Sequence, residues 1–190
     1  MARTSNKRNR LIASAKTLIH RQGLNRTTLA DISRDAQVPL GNVYYYFKTK
    51  DDLAAAVIAE RLENLEQNIC DWENKSNPAD RLLAFVERFA RMRESLSANG
   101  CPVGSLCQEL NKERNELARL ADRLLQTQLS WATRQFRLLG CSDAVGLAEY
   151  FIGAIQGACI LAHANQDPTV IDRRASSLRA WLRDTRCSSV

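Results

Sequence analysis

Residues 27–50, TTLADISRDAQVPLGNVYYYFKTK, restrict the fold of this chain more than any other segment. Apolar residues recur at helical spacing over 29–36, after Thr27 and Thr28, either of which can cap a helix N-terminus. Pro39 suits the first turn of a second helix, because its ring fixes φ and that turn needs no N–H from it. Two short helices joined at Gln37-Val38 predict a helix-turn-helix, a motif whose second helix can enter the major groove of DNA.

The predicted second helix has two chemically different faces. At 100° per residue, Leu40, Val43 and Phe47 lie on the side that can pack against the preceding helices. The opposite arc holds a small residue, an amide and two phenols, which suit DNA better than a core: Gly41, Asn42, Tyr45 and Tyr46. A single tyrosine on a short helix is often a half-buried packing residue, so packing is the alternative for each phenol taken alone. The group as a whole, with Lys50 just beyond it, favours DNA contact.

Positive charge is concentrated on the same part of the chain. Of the 190 residues, 27 are Lys or Arg and 21 are Asp or Glu, a formal net charge of +6. Residues 1–50 hold ten of the basic residues but only Asp31 and Asp35, a net of +8, so the rest of the chain has a net charge of −2. A phosphate-binding surface requires such an excess. Arg3 is expected either in a mobile arm that becomes ordered on DNA or in a merely disordered terminus.

These residues resemble TetR-type transcriptional regulators over about residues 11–53. Residues 41–53, GNVYYYFKTKDDL, are similar to that family's recognition helix and the start of the helix that follows it. Residues 27–32, with Ala36 and Val38, are similar to the family's preceding helix. Beyond this range the resemblance is one of length and helical organisation.

Three positions depart from the family's pattern. Gln37 stands where the turn often has Gly, so a residue with a Cβ is expected to adopt a left-handed conformation. Leu40 occupies a position that is usually polar and often touches DNA, and Tyr46 replaces a common His. These departures bear on the operator sequence and leave the expected fold unchanged.

The resemblance implies an all-α homodimer with a DNA-binding domain over 1–50 and a ligand-binding and dimerisation domain over 51–190. Its partners would be a double-stranded DNA operator and a small-molecule effector, in the cytoplasm, with no cofactor and no membrane. Two recognition helices about 34 Å apart would bind a palindromic operator, most simply as a repressor. Asn42 can pair with adenine, whereas several neighbours would contact phosphate. The full set expected at DNA is Thr27, Thr28, Leu40, Gly41, Asn42, Tyr44, Tyr45, Tyr46 and Lys50.

Helical periodicity, with Gly and Pro at its breaks, predicts about nine helices and no strand. A helix from about Asn6 ends at Gly23 and completes a three-helix head with the helix-turn-helix. A connecting helix capped by Thr49 follows, and in the resembling family this helix moves the head when the body binds a ligand. The remaining helices are expected over about 78–97, 102–110, 114–139, 143–164 and from 168 onward.

Inward-facing aromatic and apolar groups of the C-terminal body are candidates for an effector pocket. Aromatic stripes at helical spacing are usually core, which is the alternative for each of them. The candidates are Phe85, Phe89, Met92, Trp131, Phe151 and, as a lone polar group on an apolar helix, Gln156.

Residues 143–164 are apolar on nearly every side, which predicts a helix buried all round. Part of its cover is expected from a second subunit, with the last helix pairing in the same interface. A purely intramolecular core is the alternative. The expected interface residues are Gly153, Gly157, Leu161, Leu178 and Leu182.

Six cysteines occur without CxxC or zinc-finger spacing, and two histidines cannot complete a cluster, so reduced thiols and no metal site are expected. Cys101 directly precedes Pro102 and is predicted at a helix N-cap, where a thiolate would be stabilised. It resembles a cysteine with which some TetR-type proteins sense electrophiles or oxidants, so it is the candidate thiol sensor and the expected most reactive thiol. A small semi-buried residue is the alternative.

Other classes of function have less support in the sequence. No apolar run reaches the ~18 residues of a membrane span, and the N-terminus lacks the apolar core of a signal peptide. An enzyme is not expected, because no catalytic set is evident and Ser105 has no neighbouring His. A helical interaction protein that keeps a helix-turn-helix as a packing unit is the main alternative, although such a protein would not need a net charge of +8 on its head.

Overall fold

A computed structural model describes residues 2–185 and, for residues 2–5, the backbone only. Regular structure within this range is entirely helical. The helices are α1 Ala2–Gln22, α2 Leu29–Asp35, α3 Leu40–Tyr46, α4 Lys50–Glu73, α5 Pro78–Arg91, α6 Arg93–Asn99, α7 Gly104–Leu110, α8 Glu116–Leu138, α9 Ala144–Asn165 and α10 Thr169–Asp184. Only Met92 separates α5 from α6, inside one predicted helix, so the all-α class with about nine helices is confirmed.

Two predicted helix starts are wrong. The backbone of α1 is helical from Ala2, where a mobile arm was expected, and the side chain of Arg3 lies outside the described residues. α7 begins at Gly104 with Val103 at its N-cap, because Pro102 and Val103 form a turn before the helix. The predicted breaks at Gly23 and Gly140 are confirmed by their positive φ angles of 82° and 80°.

The described chain divides into two compact units. The first comprises residues up to Glu63 together with Pro102–Leu124, and the second comprises Asn64–Cys101 together with residues from Leu125 onward. This division differs from the predicted boundary after Lys50, because α7 and the beginnings of α4 and α8 pack into the same unit as α1–α3. The separation of DNA binding from effector binding along the chain stays a prediction.

In the first unit, the three head helices share one apolar core. Leu11 of α1, Ile32 of α2 and Val43 of α3 are almost completely buried. Burial of large aliphatic side chains of this kind stabilises a fold by about 1.5–3 kcal/mol each. An ion pair between Lys16 of α1 and Glu60 of α4 attaches the connecting helix to the head.

In the second unit, aromatic rings form a continuous cluster around Phe85 of α5. The Phe85 ring lies 5.2 Å from Trp72 of α4, 5.6 Å from Trp131 of α8 and 5.6 Å from Phe151 of α9, measured between centroids. Contacts at this spacing add stabilisation beyond that of burial alone. Four helices of the second unit therefore meet at one ring.

The last helix packs against α5 and α9. Arg179 of α10 donates to both oxygens of Glu87 on α5 at 2.7 and 3.0 Å, a bidentate geometry. The Arg179 guanidinium lowers the pKa of Glu87, mainly through this hydrogen bond. α10 is therefore attached to α5 by a charged pair as well as by apolar packing.

By length and composition alone, α9 is the one described helix that could cross a membrane. A core helix meets the same criteria, and the inner face of α9 is buried in the second unit, including Ala148, Ile155 and Cys159. This composition is accordingly weak support for a membrane span.

Candidate DNA-binding surface and effector site

The start of α2 is held by a reciprocal cap. The Thr28 hydroxyl accepts from the Asp31 backbone N–H at 3.1 Å, and the Asp31 carboxylate accepts from the Thr28 N–H at 3.2 Å. The Thr28 side-chain and backbone hydrogen bonds lower the pKa of Asp31, and the nearby Arg34 guanidinium acts in the same direction. This capping box confirms the expected helix start at the threonine pair and selects Thr28 as the cap.

The turn of the helix-turn-helix has the left-handed residue that the sequence predicted. Gln37 adopts φ 50°, a conformation that residues with a Cβ rarely adopt. Arg10 of α1 donates to the carbonyls of Ala36 at 2.5 Å and Gln37 at 3.2 Å, and Ser33 donates to the carbonyl of Val38 at 2.7 Å. These side chains satisfy the carbonyls that the turn leaves outside helical hydrogen bonding.

The recognition helix α3 presents a nearly bare outer face. Val43 and Phe47 are buried as predicted, whereas Tyr45 is 71% exposed and Tyr44 is 48% exposed. Leu40 is 39% exposed, so its placement beside the buried residues by the helical wheel is wrong, and its assignment to the DNA set stays a prediction. Gly41 is also exposed, and a Cβ built on it would meet no atom within 4 Å.

The remaining recognition-helix candidates are half-buried. Asn42 lies on the same helix with intermediate exposure, one position after Gly41. Tyr46 packs its ring edge-to-face against Tyr45, with centroids 5.0 Å apart. The packing alternative therefore applies in part to Tyr46 and does not apply to Tyr45.

One assigned DNA contact is wrong, and two others have additional roles. Thr27 is completely buried, and its hydroxyl donates to the Gly23 carbonyl at 2.7 Å, so it cannot reach a nucleic acid. Thr28 is exposed, but its hydroxyl is engaged by Asp31 at 2.6 Å. The Lys50 ammonium donates to the Leu24 and Asn25 carbonyls at 3.2 and 3.4 Å, so it is also part of the α1–α2 turn.

Two residues near this surface were missed by sequence reasoning. Lys48 is exposed just before α4, where its own backbone N–H donates to Asp52 at 3.0 Å. Glu109 of α7 accepts from the backbone N–H groups of Leu24 and Asn25 at 2.8 and 2.7 Å. The position of Lys48 beside the recognition helix was visible in the sequence, whereas no sequence signal connected Glu109 with the head.

The second unit brings together four of the six predicted pocket residues. Phe85 contacts the rings of Phe89, Trp131 and Phe151, and Trp72 is the missed fifth member of the group. Phe85, Trp131 and Phe151 are at most 4% exposed, so their packing agrees with the core alternative as well. Their role as a pocket stays a prediction.

The other two predicted pocket residues lie at the edge of this packing. Met92 is half-buried at the break between α5 and α6, and Gln156 is half-buried on α9. The nearby cavity lined by Phe89, Ile155 and Leu178 measures about 10 Å³, room for about one water molecule. An effector larger than water would have to open this part of the second unit.

Several buried polar atoms of the second unit have no hydrogen-bond partner within the described residues. They include the Oε1 atom of Gln128, the Nε1 atom of Trp131 and the Nε2 atom of Gln156. Gln128 and Trp131 are only 5% and 4% exposed, and both lie on α8, three positions apart. Unpaired buried polar groups cost about 1–3 kcal/mol each, so such a pair is unusual in packing that serves stability alone.

Known protein families match both the helix-turn-helix segment and the C-terminal part of the chain. The family described as "Bacterial regulatory proteins, tetR family" matches residues 11–57. The family described as "Transcriptional regulator LmrA/YxaF-like, C-terminal domain" matches residues 78–177, more than half of the chain. The chain belongs to the TetR family. Members of this family are DNA-binding transcriptional regulators rather than enzymes, and they usually act as dimers with small-molecule effectors.

Individual TetR-family proteins are similar over much of their length. The transcriptional regulator LmrA of Bacillus subtilis is 27% identical over 140 residues, which cover 72% of this chain and 74% of LmrA. The transcriptional repressor DhaR of Mycobacterium sp. strain GP1 is 30% identical over 128 residues, which cover 65% of this chain and 63% of DhaR. The crystal structure of SCO4454, a TetR-family regulator of Streptomyces coelicolor, has a TM-score of 0.83 at 18% identity and covers 97% of each chain. This TetR-family chain is accordingly a helix-turn-helix transcriptional regulator.

The predicted dimer residues of this TetR-family chain fall into two groups. A Cβ atom added to Gly153 or Gly157 would meet no other atom within 4 Å, and the Leu161 side chain is 53% exposed. All three residues therefore face open space on α9. Leu178 and Leu182 are 1% and 6% exposed, so their assignment to an interface is wrong. Both face inward because α10 packs its apolar stripe against α5 and α9 of the same chain.

The thiol prediction for this TetR-family chain is also corrected. Cys101 is buried and precedes a turn, so it caps no helix. A hydrogen bond with Cys101, together with burial, raises the pKa of Cys159 and keeps that thiol protonated. Cys70 is an exposed free thiol, and the buried Cys101, Cys107 and Cys159 are free as well. Residues 2–185 contain no cluster of His, Cys, Asp and Glu that could hold a metal ion.

Proposed function

We propose that this TetR-family regulator is a homodimeric, effector-responsive repressor that binds a palindromic operator. The observation that carries the proposal is the exposed outer face of α3 on the segment with a net charge of +8. Tyr45 is mostly solvated there and Tyr44 about half solvated, although tyrosines favour sites where part of the ring is covered. A partner with stacked bases and phosphates would supply that cover.

The residues of α3 would divide their roles at the operator. The Asn42 amide can make a bidentate pair with adenine, which gives sequence preference. Gly41 would let the helix approach the groove closely, while Leu40, Tyr44, Tyr45 and Tyr46 would contact thymine methyl groups, sugars or phosphates. Thr28, Lys48 and Lys50 would contact phosphates and so set the register of the head on the duplex.

The exposed face of α9 would pair two copies of the chain. Gly153, Gly157 and Leu161 lie on this face, and the missed residues Tyr150 and Ile160 are 52% and 56% exposed on the same side. Contiguous exposed apolar side chains of this kind are typical of interaction surfaces. Small residues four apart would let the partner helix approach closely, and the two heads would then stand about one helical turn of DNA apart.

An effector would act by binding one arrangement of the dimer more tightly than the other. The aromatic cluster around Phe85, with its unpaired polar atoms, is the proposed place for it. Operator binding in the effector-free state and release in the bound state would make the protein a repressor in the cytoplasm. Cys101 is not proposed as the sensor, because its burial opposes reactivity.

The test is a selection of genomic DNA fragments with the purified full-length protein, followed by a salt titration on the best fragment. We expect a short palindrome, bound by a dimer, with log Kd rising steeply against log salt because several phosphates are contacted. Weak binding that is equal for all fragments would contradict the proposal. That result would favour a helical interaction protein that keeps the helix-turn-helix as a packing unit.

A further inference from the structure

One cation in the second unit has no partner that matches its charge. Arg88 of α5 is half-buried, and no hydrogen bond or ion pair to its guanidinium occurs among the described residues. Burial and the like charge of Arg91 both lower the pKa of Arg88, and no carboxylate acts in the opposite direction. Arginine nevertheless remains charged in proteins, so a half-buried guanidinium of this kind is uncompensated.

The contacts between α5 and α8 indicate where Arg88 lies. Arg81 donates to the Gln135 side chain at 3.2 Å, and one turn later Phe85 stacks on Trp131. The two helices therefore run antiparallel through these pairs. Seven residues after Arg81 and seven before Gln135, the same register places Arg88 level with Gln128.

In this register, three polar groups without a hydrogen-bond partner lie at the same level of the two helices. Gln128 and Trp131 are the buried α8 residues whose Oε1 and Nε1 atoms have no partner. Arg88 adds an unpaired cation at the same level, on the helix that also carries Phe85 and Phe89. Unpaired donors such as the Arg88 guanidinium and the Trp131 N–H are rare in a stable core, and an anionic ligand would complete both. The Gln128 Oε1 atom is an acceptor and would pair with the guanidinium instead.

We infer that this site binds the carboxylate of a small aromatic or other apolar organic acid. The guanidinium fork of Arg88 matches the two oxygens of a carboxylate, and the Trp131 indole N–H is a further donor. The aromatic rings around Phe85 would cover the apolar part of the acid.

This inference names the chemical class of the effector and so rests on the proposed effector response. It also concerns binding alone, which can be measured without DNA. The inference about the effector and the proposed repressor function can therefore be contradicted independently of each other.

The experiment compares each carboxylate with its neutral isostere. Binding of benzoate and 4-phenylbutanoate to the full-length protein is measured by calorimetry and by quenching of tryptophan fluorescence, beside benzamide and 4-phenylbutanamide. We expect the carboxylates to bind at least about tenfold more tightly than the amides, because only a carboxylate pairs a negative charge with the Arg88 guanidinium. Equal affinity of acids and amides would overturn the inference.

Three variants locate the effect. Arg88→Gln should remove the preference for the acids, whereas Arg137→Gln, the same change at an exposed arginine of α8, should leave it within about twofold. Trp131→Phe keeps an aromatic ring without the N–H and should weaken the acids, because they lose one hydrogen-bond donor. A preference that persists in Arg88→Gln would overturn the assignment.

The thermal midpoint separates ligand binding from a structural role. Without ligand, Arg88→Gln should unfold at the same temperature or higher, because the change removes an unpaired half-buried charge. A clearly lower midpoint would show that Arg88 stabilises the fold and would overturn the inference. Acid binding through Arg88 that leaves operator affinity unchanged would support the site and contradict the effector-responsive repressor.

Discussion

The Glu109 carboxylate accepts a 2.8 Å hydrogen bond from the backbone N–H of Leu24, 85 positions earlier in the chain. Its second oxygen accepts from Asn25 at 2.7 Å, while Lys50 donates to the carbonyls of the same two residues. The backbone N–H groups of the turn before α2 are thus bound by Glu109 of α7, and its carbonyl groups are bound by Lys50 of α4. Any displacement of α7 would change the support of the helix-turn-helix.

Replacement of Glu109 by Ala should lower the free energy of unfolding by about 1–3 kcal/mol, because two backbone N–H groups lose a charged acceptor. Operator affinity should fall as well, since the α1–α2 turn would loosen. Urea unfolding and fluorescence anisotropy with labelled operator measure the two effects. Glu113→Ala, at an exposed position after the same helix, should change stability by less than about 0.5 kcal/mol. Equal effects of the two variants would contradict this role.

Asn42 and Lys48 should affect DNA binding in different ways. Asn42→Ala should cost about 1–3 kcal/mol on the preferred operator and change the preferred base at one position in each half-site. Lys48→Ala should weaken all DNA sequences alike and reduce the salt slope by about one per subunit, because it removes a phosphate contact. Binding measured on a panel of operator variants at several salt concentrations separates these outcomes.

The exposed residue Lys75 provides a control for that comparison. Lys75→Ala should leave both affinity and salt slope unchanged if phosphate contacts are confined to the head. Lys50→Ala should reduce the salt slope and also destabilise the protein, because its ammonium holds the α1–α2 turn. A change of base preference in Lys48→Ala with an unchanged slope would contradict this division of roles.

Leu161→Glu should convert the dimer into a monomer, because it buries a charge in the proposed interface on α9. Leu138→Glu is the matched control, since Leu138 is 58% exposed on α8. Leu178→Ala should instead lower the free energy of unfolding by about 2–5 kcal/mol through a cavity inside the subunit. Sedimentation velocity and urea unfolding measure these effects. A dimer that persists in Leu161→Glu would place the interface elsewhere.

Cys70 should react first when the folded protein is treated with iodoacetamide. Its thiol is exposed, whereas Cys101, Cys107 and Cys159 are buried. The raised pKa of Cys159 lowers its thiolate fraction further. Peptide mapping at short reaction times gives the order, and the same reaction in urea should abolish it. Early labelling of Cys101 would restore it as a candidate sensor.

The Glu87–Arg179 pair predicts a small acid-dependent loss of stability. The pKa of Glu87 lies below its ordinary value of 4.5 in the folded chain, so the pair stabilises the fold above that pH. The contribution is lost as pH falls through the lower, folded-state pKa. Because both side chains are partly exposed, we expect at most about 1 kcal/mol. Urea unfolding of Glu87→Gln should show a shallower decline between pH 5 and 3 than the parent chain, and an identical decline would contradict the assignment.

Local chemistry explains why the head was largely predictable. The Thr28 cap, the left-handed Gln37 and the buried Val43 all follow from residues a few positions apart in the sequence. Thr27 was misassigned, because its burial depends on where the preceding turn carries it. Which of the two adjacent threonines is buried and which caps α2 depends on the tertiary structure.

The body was less predictable because helical periodicity identifies an apolar face without its partner. Leu178 and Gly157 both lie on helix faces that the sequence predicts to be apolar. Leu178 nevertheless packs inside the subunit, whereas Gly157 faces outward. Cys101 likewise precedes a proline, but the helix starts later and the thiol is buried. A proline is compatible with the first turn of a helix, but its presence does not show that a helix begins there.

The sequence by itself determined the all-α class, the helix-turn-helix, its basic surface and the side chains on the outer face of the recognition helix. These properties depend on spacing, capping and charge within short segments. Only the tertiary structure decided that Glu109 holds the α1–α2 turn, that Leu178 belongs to the core and that Arg88 lies level with Gln128. Each of these depends on contacts or register between helices far apart in the chain, which no local pattern encodes.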